Sequence, residues 1–482
     1  MFGRNEATGS SNLANRGLSW ARIPQVLDGG IGWCALSLIV LVAVPNGSEK
    51  IWWQAAFESA VFGLGALWIV NGFFRGGWPL KEAGFFVPLV ALAAYAVFQT
   101  VPLLPWGAGP IPNGQGLRPI SADPTGTFRF VAELLALIVL GKFLLDFTRD
   151  RRRLTWLVYV VIGISAASAT LGIIRLMAQN ASPQLIFLGQ ARGEGFAHLS
   201  NQNHFALMLE MALGLVLGLI LGPGANRKLL LLHIGLGLLL ASTIVFTTSR
   251  GGILAMVSQM LFLGVWFVVA PVWRGKSWQI IMKGNFAWQH LAKFALSIIL
   301  ILGLVIVVVI GIVSLGGDRL ATRMEEVPGE WGNLEDHTRA QRGDVWRTTW
   351  QLIKDNPMSG VGFGAYETAI TKYHDASGTD RPASALNEYL NLLAGGGAFA
   401  AGLAIWFMIK LTLRIRQTFR SNIRFERAAS LGGLTGLVGV ACHSFVDSGL
   451  QLPINAVFVF ALMVIAISNP EIRRGPVPQR EG

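Results

Sequence analysis

Long apolar stretches recur along this chain, and they constrain its fold more than any other feature. Several run for about 18–22 residues, the length that an α-helix needs to cross the hydrocarbon core of a bilayer. Charged residues make up only 14% of the sequence, whereas soluble domains carry roughly a quarter. Lipid offers the backbone no hydrogen-bond partners, and the alternating pattern of strands is absent, so each stretch is predicted to be a helix. The predicted fold class is all-α, a polytopic membrane helix bundle.

The apolar stretches predict about twelve transmembrane helices and one large extracytoplasmic loop. The predicted spans are about 30–45, 53–74, 84–104, 128–146, 154–176, 204–221, 229–247, 252–272, 293–314, 393–412, 428–446 and 452–468. They divide the chain into five parts. These are a cytoplasmic tail (1–29), helices one to nine (30–314), the large loop (315–392), helices ten to twelve (393–468) and a second cytoplasmic tail (469–482).

Lysine and arginine set the predicted orientation, because short cytoplasmic loops of membrane proteins carry an excess of both. Basic residues recur in every second connection, for instance at Arg151–Arg153, Arg424 and Arg427. We therefore predict that both termini are cytoplasmic and that the large loop is extracytoplasmic. The net charge of +12 follows from this distribution, so nucleic acid is not predicted as a partner.

The large loop is itself predicted to be folded. Connections longer than about 12–15 residues are usually functional or disordered, and this polar segment, Gly316 to Gly397, carries a helical pattern. Arg342 to Lys354 is its best helix candidate, and Asn356-Pro357 ends that helix. One face, at i, i+3, i+4, i+7 spacing, holds Val345, Thr348, Thr349 and Leu352. We interpret the loop as a lid over a site.

Several arginines on the predicted outer face are candidates for binding an anion. These are Arg192, Arg250, Arg342 and Arg347. Arg250 is the best of them, because arginine is disfavoured on this face and the two glycines that follow permit close approach of a ligand. We expect its side chain to turn inward, toward a cavity. Guanidinium groups suit bidentate phosphate contacts, and several would suit a lipid pyrophosphate. Helix-end anchoring and surface pairing are the alternatives.

Histidines and carboxylates near the same face are candidates for acid–base chemistry. His443 lies four residues before Asp447, one helical turn away, where a carboxylate orients an imidazole and raises its basicity. His204 and the neighbouring Asn203 begin the sixth predicted span. Glu210 lies within that span, where ionisable residues are functional candidates by default, or it pairs with a buried arginine such as Arg175. A purely structural role is the alternative for each histidine.

The sequence contains no motif for a nucleotide or a metal ion. The glycine-rich run "GVGFGAYE" does not join a strand to a helix, so a dinucleotide site is not predicted. We therefore predict no cofactor and no metal. An enzyme acting on the outer face then needs a substrate that is already activated, and a lipid pyrophosphate is such a group.

Five motifs together resemble a known family. They are "NQNHFALMLEMALGL", "TTSRGGILAM", "RGDVWRTTWQLIKDNPMSGVGFGAYE", "NEYLNLLAGGG" and "HSFVDSGLQLPINA". Their order and spacing resemble the O-antigen ligase and polysaccharide polymerase superfamily over residues 190–470. The resemblance implies a glycosyltransferase of the bacterial cytoplasmic (inner) membrane that polymerises or ligates glycans carried on undecaprenyl pyrophosphate. It implies a lipid-linked donor, a glycan or lipid acceptor, membrane lipids, and chain-length regulator and flippase partners.

The resemblance also implies roles for particular residues. Arg250, Arg342 and Arg347 match the basic residues thought to hold the pyrophosphate. The family's loop motif usually reads His-Asn-Asp/Glu-Tyr-Leu, but "ALNEYL" places Leu386 at the histidine position. Leucine accepts no proton, so the catalytic base is sought elsewhere, among His443, His204 and Glu388. Asn387 and Glu388 are carried over as pocket residues, with Arg192, Asn203 and Asp447 as further substrate-binding candidates.

Three functions remain open from the sequence. A polymerase is slightly favoured over a ligase because the ligase histidine is missing. A transporter or flippase of lipid-linked glycans also needs many helices and a basic cavity, but internal repeats are not evident. A catalytically inactive assembly partner is the third alternative, because of Leu386. Convergence of Arg250, Arg342, Arg347 and His443 on one cavity at the outer leaflet favours the enzyme, whereas a cavity that reaches both faces favours transport.

The predicted orientation is tested by reporter fusions along the full chain. Fusions after Arg151 and Arg420 should report a cytoplasmic location, and a fusion after Glu335 should report an extracytoplasmic one, because the basic loops are retained inside. A cytoplasmic Glu335 overturns both the orientation and the outer-face site.

Overall fold

The computed structural model describes residues 7–44, 46–48, 50–78, 83–103, 107–109, 116–177, 197–222, 227–273, 342–373, 382–420 and 423–469. Within these ranges the chain forms thirteen α-helices joined by turns and short 3-10 segments, with no β-strand. The helices are α1 (Ala7–Ala43), α2 (Ile51–Arg75), α3 (Val87–Gln99), α4 (Pro124–Phe147), α5 (Arg151–Met177), α6 (Gln202–Leu221), α7 (Leu230–Phe246), α8 (Arg250–Trp273), α9 (Arg342–Asp355), α10 (Tyr366–Ile370), α11 (Glu388–Thr418), α12 (Arg424–His443) and α13 (Pro453–Ile467).

The predicted all-α membrane bundle is confirmed in outline. Six helices are long and apolar enough to cross a membrane, in α1, α2, α5, α6, α8 and α11. Shorter apolar helices are α3, α7 and α13. Every predicted span overlaps one of the described helices except 293–314, which lies outside the described residues. The exact number of twelve spans therefore stays a prediction.

Two predicted boundaries differ from the helices. α1 begins at Ala7, within the segment predicted as an N-terminal tail. α11 begins at Glu388, five residues before the predicted span, because the side chain of Asn387 accepts hydrogen bonds from the amides of Tyr389 and Leu390 and caps the helix there. A kink at Gly397, where φ is 59°, separates the segment that begins at Glu388 from the long span that follows.

The outer surface of the bundle is strongly apolar. Large side chains such as Trp52, Phe73, Leu231 and Trp406 are exposed on helices long enough, or nearly long enough, to cross a bilayer. A soluble protein rarely leaves so much contiguous apolar surface in contact with water. The exposed faces are therefore the ones that contact lipid, and the chain is a multi-pass membrane protein.

The centre of the bundle is the contact between α6 and α12. Of the apolar window in α6, 83% is buried, so this helix is enclosed by protein on nearly all sides. Added Cβ atoms on three of its glycines would collide with the backbone of α12. Gly214 faces Gly436, Gly218 faces Gly432, and Gly222 faces Ala428. These small residues let the two backbones approach as closely as membrane helices can.

The described part of the large loop packs on the bundle as a small second core. α9 buries Val345, Thr348, Thr349, Leu352 and Ile353, which confirms both the predicted helix and its predicted buried face. Of these, Leu352 and Ile353 pack in one cluster with Val361, Tyr366, Ile370 and Ala394. The rest of the loop, residues 315–341 and 374–381, lies outside the described residues.

The glycine-rich run after α9 serves this packing. Gly360, Gly362 and Gly364 all have positive φ, which side chains with a Cβ rarely adopt. A Cβ on Gly360 would collide with the backbone of Gly395. Val361 N donates to Ala394 O at 2.8 Å, so the run lies directly against the start of α11.

The glycine contact between α6 and α12 should be essential for folding. We expect Gly218→Val to lower the thermal unfolding midpoint sharply or to prevent accumulation, because its side chain meets backbone atoms that cannot move aside. Gly235→Val on α7 is the matched control, since nothing lies within 4 Å of a Cβ there. The measurement is thermal unfolding of the detergent-solubilised chain. Equal melting of the two variants contradicts the assignment.

Candidate functional site

The candidate residues meet at the end of the bundle where α6 and α8 begin and α12 ends. His204 lies in the first turn of α6, Arg250 is the first residue of α8, and His443 is the last residue of α12. Asp447 follows in the turn after α12, whose backbone is closed by a hydrogen bond from Asp447 N to His443 O at 3.2 Å. Helices from three separate parts of the chain therefore bring these side chains together.

A buried hydrogen bond between Glu210 and His443 anchors the site. His443 Nδ1 lies 2.9 Å from Glu210 Oε2, and both side chains are almost fully buried. The partner that orients the imidazole is therefore Glu210 from α6, rather than Asp447 as the sequence spacing suggested. Glu210 pairs with a histidine and not with a buried arginine. A carboxylate at Nδ1 fixes the tautomer of His443 and leaves Nε2 as the other functional atom.

Asp447 lies between two histidines. Its Oδ2 atom is 4.0 Å from His443 Nε2 and 3.9 Å from His204 Nε2, both longer than a direct hydrogen bond. Neither Asp447 Oδ2 nor His443 Nε2 has a hydrogen-bond partner in the described part of the chain. Asp447 Oδ1 accepts from Ser448 N at 2.9 Å. The group thus presents unsatisfied polar atoms to the space between its side chains, and such atoms are costly unless a ligand satisfies them.

His204, Asp447 and His443 differ in how far their side chains are exposed to solvent. The side chain of His204 is 23% exposed, whereas those of Asp447 and His443 are 4% and 1% exposed. A ligand that enters the site therefore meets His204 first. Within the described ranges, no group of three or more His, Cys, Asp and Glu is arranged to hold a metal ion.

Arg250 lies beside this group. A Cβ on Gly251 would stand 2.6 Å from His443 Nε2, so the start of α8 packs directly on the imidazole. The side chain of Arg250 is exposed, and the expectation that it turns inward is wrong. Arg342, the first residue of α9, is also exposed and is close enough to interact electrostatically with His443. Two guanidinium groups therefore flank the site at the outer surface of the bundle.

Two other predicted arginines are not brought into this group by the described contacts. Arg347 pairs with Asp344 of its own helix at 2.9 Å, and its side chain is 73% exposed. It lies on the face of α9 that points away from the loop core, because Val345 and Leu352 occupy the packed face. Arg192 lies outside the described residues.

The loop motif at the start of α11 is tied to the turn that carries Asp447. Asn387 Nδ2 donates to Phe445 O at 2.8 Å, and Glu388 N donates to Ser444 O at 2.9 Å. Glu388 Oε1 accepts from Leu450 N at 2.9 Å, so its carboxylate holds the backbone beyond Asp447. Asn387 and Glu388 therefore hold the backbone on both sides of Asp447, and their role as pocket residues stays a prediction.

Leu386, at the position where the resemblance implies a histidine, adopts a strained backbone. Its φ is +51°, a left-handed conformation that is unusual for a large side chain. The amide of Leu386 points to Ser384 Oγ at 3.4 Å, and Asn391 Oδ1 accepts from Ala385 N at 2.8 Å. The surrounding hydrogen bonds thus impose the turn whichever residue occupies this position.

A network of short polar side chains was not identified from the sequence. Ser384 Oγ bonds Ser448 Oγ at 3.0 Å, and Asn391 Nδ2 donates to Ser448 Oγ at 3.2 Å. Asn455 Nδ2 donates to His204 O at 3.1 Å and to Gly449 O at 3.0 Å. Polar residues of this size are common at helix ends, so only their position beside the histidines marks them as part of the site.

The remaining polar residues near the start of α6 have structural roles. The side chain of Asn201 caps α6 by accepting from Asn203 N at 2.8 Å, while Asn203 itself is half-buried. Burial, and to a smaller extent the charge of Arg175, lower the pKa of His198 to about 4. This imidazole is therefore neutral at physiological pH and packs edge-on against Phe205.

The hydrogen bond between Glu210 and His443 should stabilise the fold, because Glu210 gives the buried Nδ1 of His443 a partner. We expect Glu210→Leu to destabilise the chain by about 1–3 kcal/mol, because the buried Nδ1 of His443 loses its acceptor. Glu210→Gln keeps an acceptor of the same shape and should lose less. Thermal unfolding of both variants in detergent is the measurement, and a Leu variant as stable as the parent chain contradicts the role of the pair.

Comparison with known proteins found one family match. The family model described as O-Antigen ligase (Wzy_C) matches residues 235–407, from α7 through the large loop into α11. This range contains Arg250, Arg342, Asn387 and Glu388, whereas His204, Glu210, His443 and Asp447 lie outside it. A comparison with curated proteins found no match. The family match supports a membrane enzyme of the O-antigen ligase or polymerase type, acting on a lipid-linked glycan and an acceptor. The predicted resemblance is thus confirmed over residues 235–407, where the chain is similar to the O-antigen ligase family.

Proposed function

We propose that this chain is a glycosyltransferase that polymerises glycans linked to undecaprenyl pyrophosphate at the outer face of the bacterial cytoplasmic membrane. The observation that carries the proposal is the convergence of His204, Asp447 and His443 with two flanking arginines at one end of the bundle. The arginines carry the charge that would bind a pyrophosphate. The imidazoles can take up the proton of an attacking hydroxyl.

The reaction requires charge stabilisation rather than a cofactor. A hydroxyl oxygen of the acceptor glycan attacks the anomeric carbon of the donor sugar, and the bond from that carbon to the pyrophosphate oxygen breaks. The bonding pair leaves with the lipid pyrophosphate, which gains a negative charge. We assign the binding of this charge to Arg250 and Arg342, because a guanidinium fork bonds two phosphate oxygens at once. Such contacts accelerate transfer when they strengthen in the transition state.

The proton of the attacking hydroxyl needs an acceptor, and we assign this role to His204. Its side chain is the most exposed of the three central residues, so an acceptor glycan reaches it first. Asp447 lies 3.9 Å from His204 Nε2, where its carboxylate stabilises the imidazolium that forms. His443, held by Glu210, is a positioning residue that supports Asp447 from the interior.

The position of Leu386 supports polymerisation over ligation. In the resemblance, the ligase histidine occupies this position within the loop, on the side of α11. Here that position holds an apolar leucine side chain, and the imidazoles lie on α6 and α12 instead. The proton is therefore removed from a different side of the site, and a different acceptor geometry follows.

The assignment of Arg250 is tested by glycan polymer formation in a deletion strain complemented with each variant. Arg250→Ala should lower the rate by about 10²–10³, because a charge-assisted contact to the leaving group is lost. Arg250→Lys should also lose most activity, since an ammonium keeps the charge but lacks the bidentate fork. In the same assay His204→Gln should abolish transfer, because the amide does not take up the proton.

The control is Lys372→Ala, which removes a cation from the large loop. Lys372 lies beside the Tyr373 ring and outside the site. It should retain activity, and membrane levels of all variants are compared by blot. Full polymer formation by Arg250→Ala at normal abundance contradicts the pyrophosphate assignment. Accumulation of long lipid-linked polymer in the deletion strain indicates a ligase rather than a polymerase.

A further inference from the structure

A cavity of about 640 Å³ lies at the opposite end of the bundle from His443. It is enclosed by α5, α6, α7 and α12, and Arg424 at its rim is separated from His443 by the full length of α12, about 28 Å at 1.5 Å per residue. The residues that line it are Arg151, Thr155, Tyr159, Leu219, Leu229, His233, Ile423, Arg424, Phe425 and Ala428. The glycosyl-transfer site uses none of them.

The rim of this cavity is positively charged. Arg151 and Arg424 are the first residues of α5 and α12, and both side chains are exposed. The guanidinium of Arg151 lies over the ring of Phe425, 5.7 Å from its centroid, so it is held at the rim. No carboxylate is among the lining residues. Two guanidinium groups, with no acid among the described lining residues, match the charge of a phosphate.

The floor of the cavity is polar and incompletely satisfied. His233 is only 3% exposed, and its Nε2 lies 2.9 Å from the hydroxyl of Tyr159. Its other nitrogen, Nδ1, is buried and has no hydrogen-bond partner in the described ranges. An orphaned polar atom at this depth is costly, because folding removes it from water without supplying a partner.

The walls between rim and floor are apolar, and the cavity adjoins the lipid-facing surface. Leu219, Leu229 and Ala428 line it, and α7 continues from Leu229 with Leu231, which is 82% exposed. A ligand with an acyl chain can therefore rest on α7 while its head group enters the cavity. A free inorganic anion makes no favourable contact with apolar walls.

We propose that the cavity binds the phosphate head group of an anionic glycerophospholipid from the leaflet at this end of the bundle. By the distribution of lysine and arginine this is the cytoplasmic leaflet, where basic cavities between helices recruit anionic lipids. The phosphate lies between Arg151 and Arg424, and an acyl chain packs along α7. The lipid bridges helices that are far apart in sequence, so its binding stabilises the folded bundle.

The proposal is tested with the purified full chain in neutral phosphatidylcholine nanodiscs. Phosphatidylglycerol is titrated into the discs, bound lipid is counted by native mass spectrometry, and the thermal unfolding midpoint is recorded. The variant is the double substitution Arg151→Gln with Arg424→Gln. The matched control is Arg152→Gln with Arg420→Gln, which removes the same charge from exposed arginines that do not line the cavity.

The parent chain and the control should retain one tightly bound phosphatidylglycerol and a rise in midpoint. The Arg151/Arg424 variant should bind it about ten- to hundred-fold more weakly, the loss expected for charge-assisted contacts. Leu229→Trp, which fills the cavity without changing charge, should also weaken binding. Equal loss in the control overturns the proposal in favour of general surface attraction. An equal midpoint shift with inorganic phosphate alone overturns it in favour of a free-anion site.

Discussion

The close contact between α6 and α12 is the constraint on which the site depends. Apolar side chains gain little by leaving lipid for one another, so helices in a membrane associate through close packing of small residues. Gly214 and Gly218 of α6 touch Gly436 and Gly432 of the antiparallel α12. Glu210 stands one turn before Gly214 on the same face, and this places it where α12 ends.

The hydrogen bond between Glu210 and His443 results from that helix contact. With the two backbones in contact, Glu210 Oε2 reaches His443 Nδ1 at 2.9 Å, although the residues are separated by 233 positions in the chain. The turn after His443 is then held by Asn387 and Glu388, which bond the carbonyls of Phe445 and Ser444. The contact between α6 and α12 thus determines where Asp447 lies. Asp447 in turn lies between His204 and His443.

Local features of this protein were predictable from its sequence, and distant pairings were not. The face of α9 that holds Val345 and Leu352 follows from helical periodicity, which needs only neighbouring residues. Glu210 is a functional candidate from the sequence because it is ionisable within a span, but its partner depends on which helices are adjacent. Arg347 matched a family motif, yet the same periodicity places it on the exposed face, where it pairs with Asp344. The glycines at Gly214, Gly218 and Gly222, four residues apart, are the signal that could have identified the α6 face.

Leu386 shows which part of the loop motif the fold itself requires. A leucine with φ of +51° costs on the order of 1–2 kcal/mol relative to an ordinary conformation. The cap formed by Asn387 and the bond from Ala385 N to Asn391 compensate for that strain. The turn therefore forms without a histidine. It holds Glu388 against the backbone that follows Asp447, and it does not need to present a base to the substrate. Proton transfer must then rely on groups outside the loop, and His204 is the one beside Asp447 that an incoming acceptor can reach.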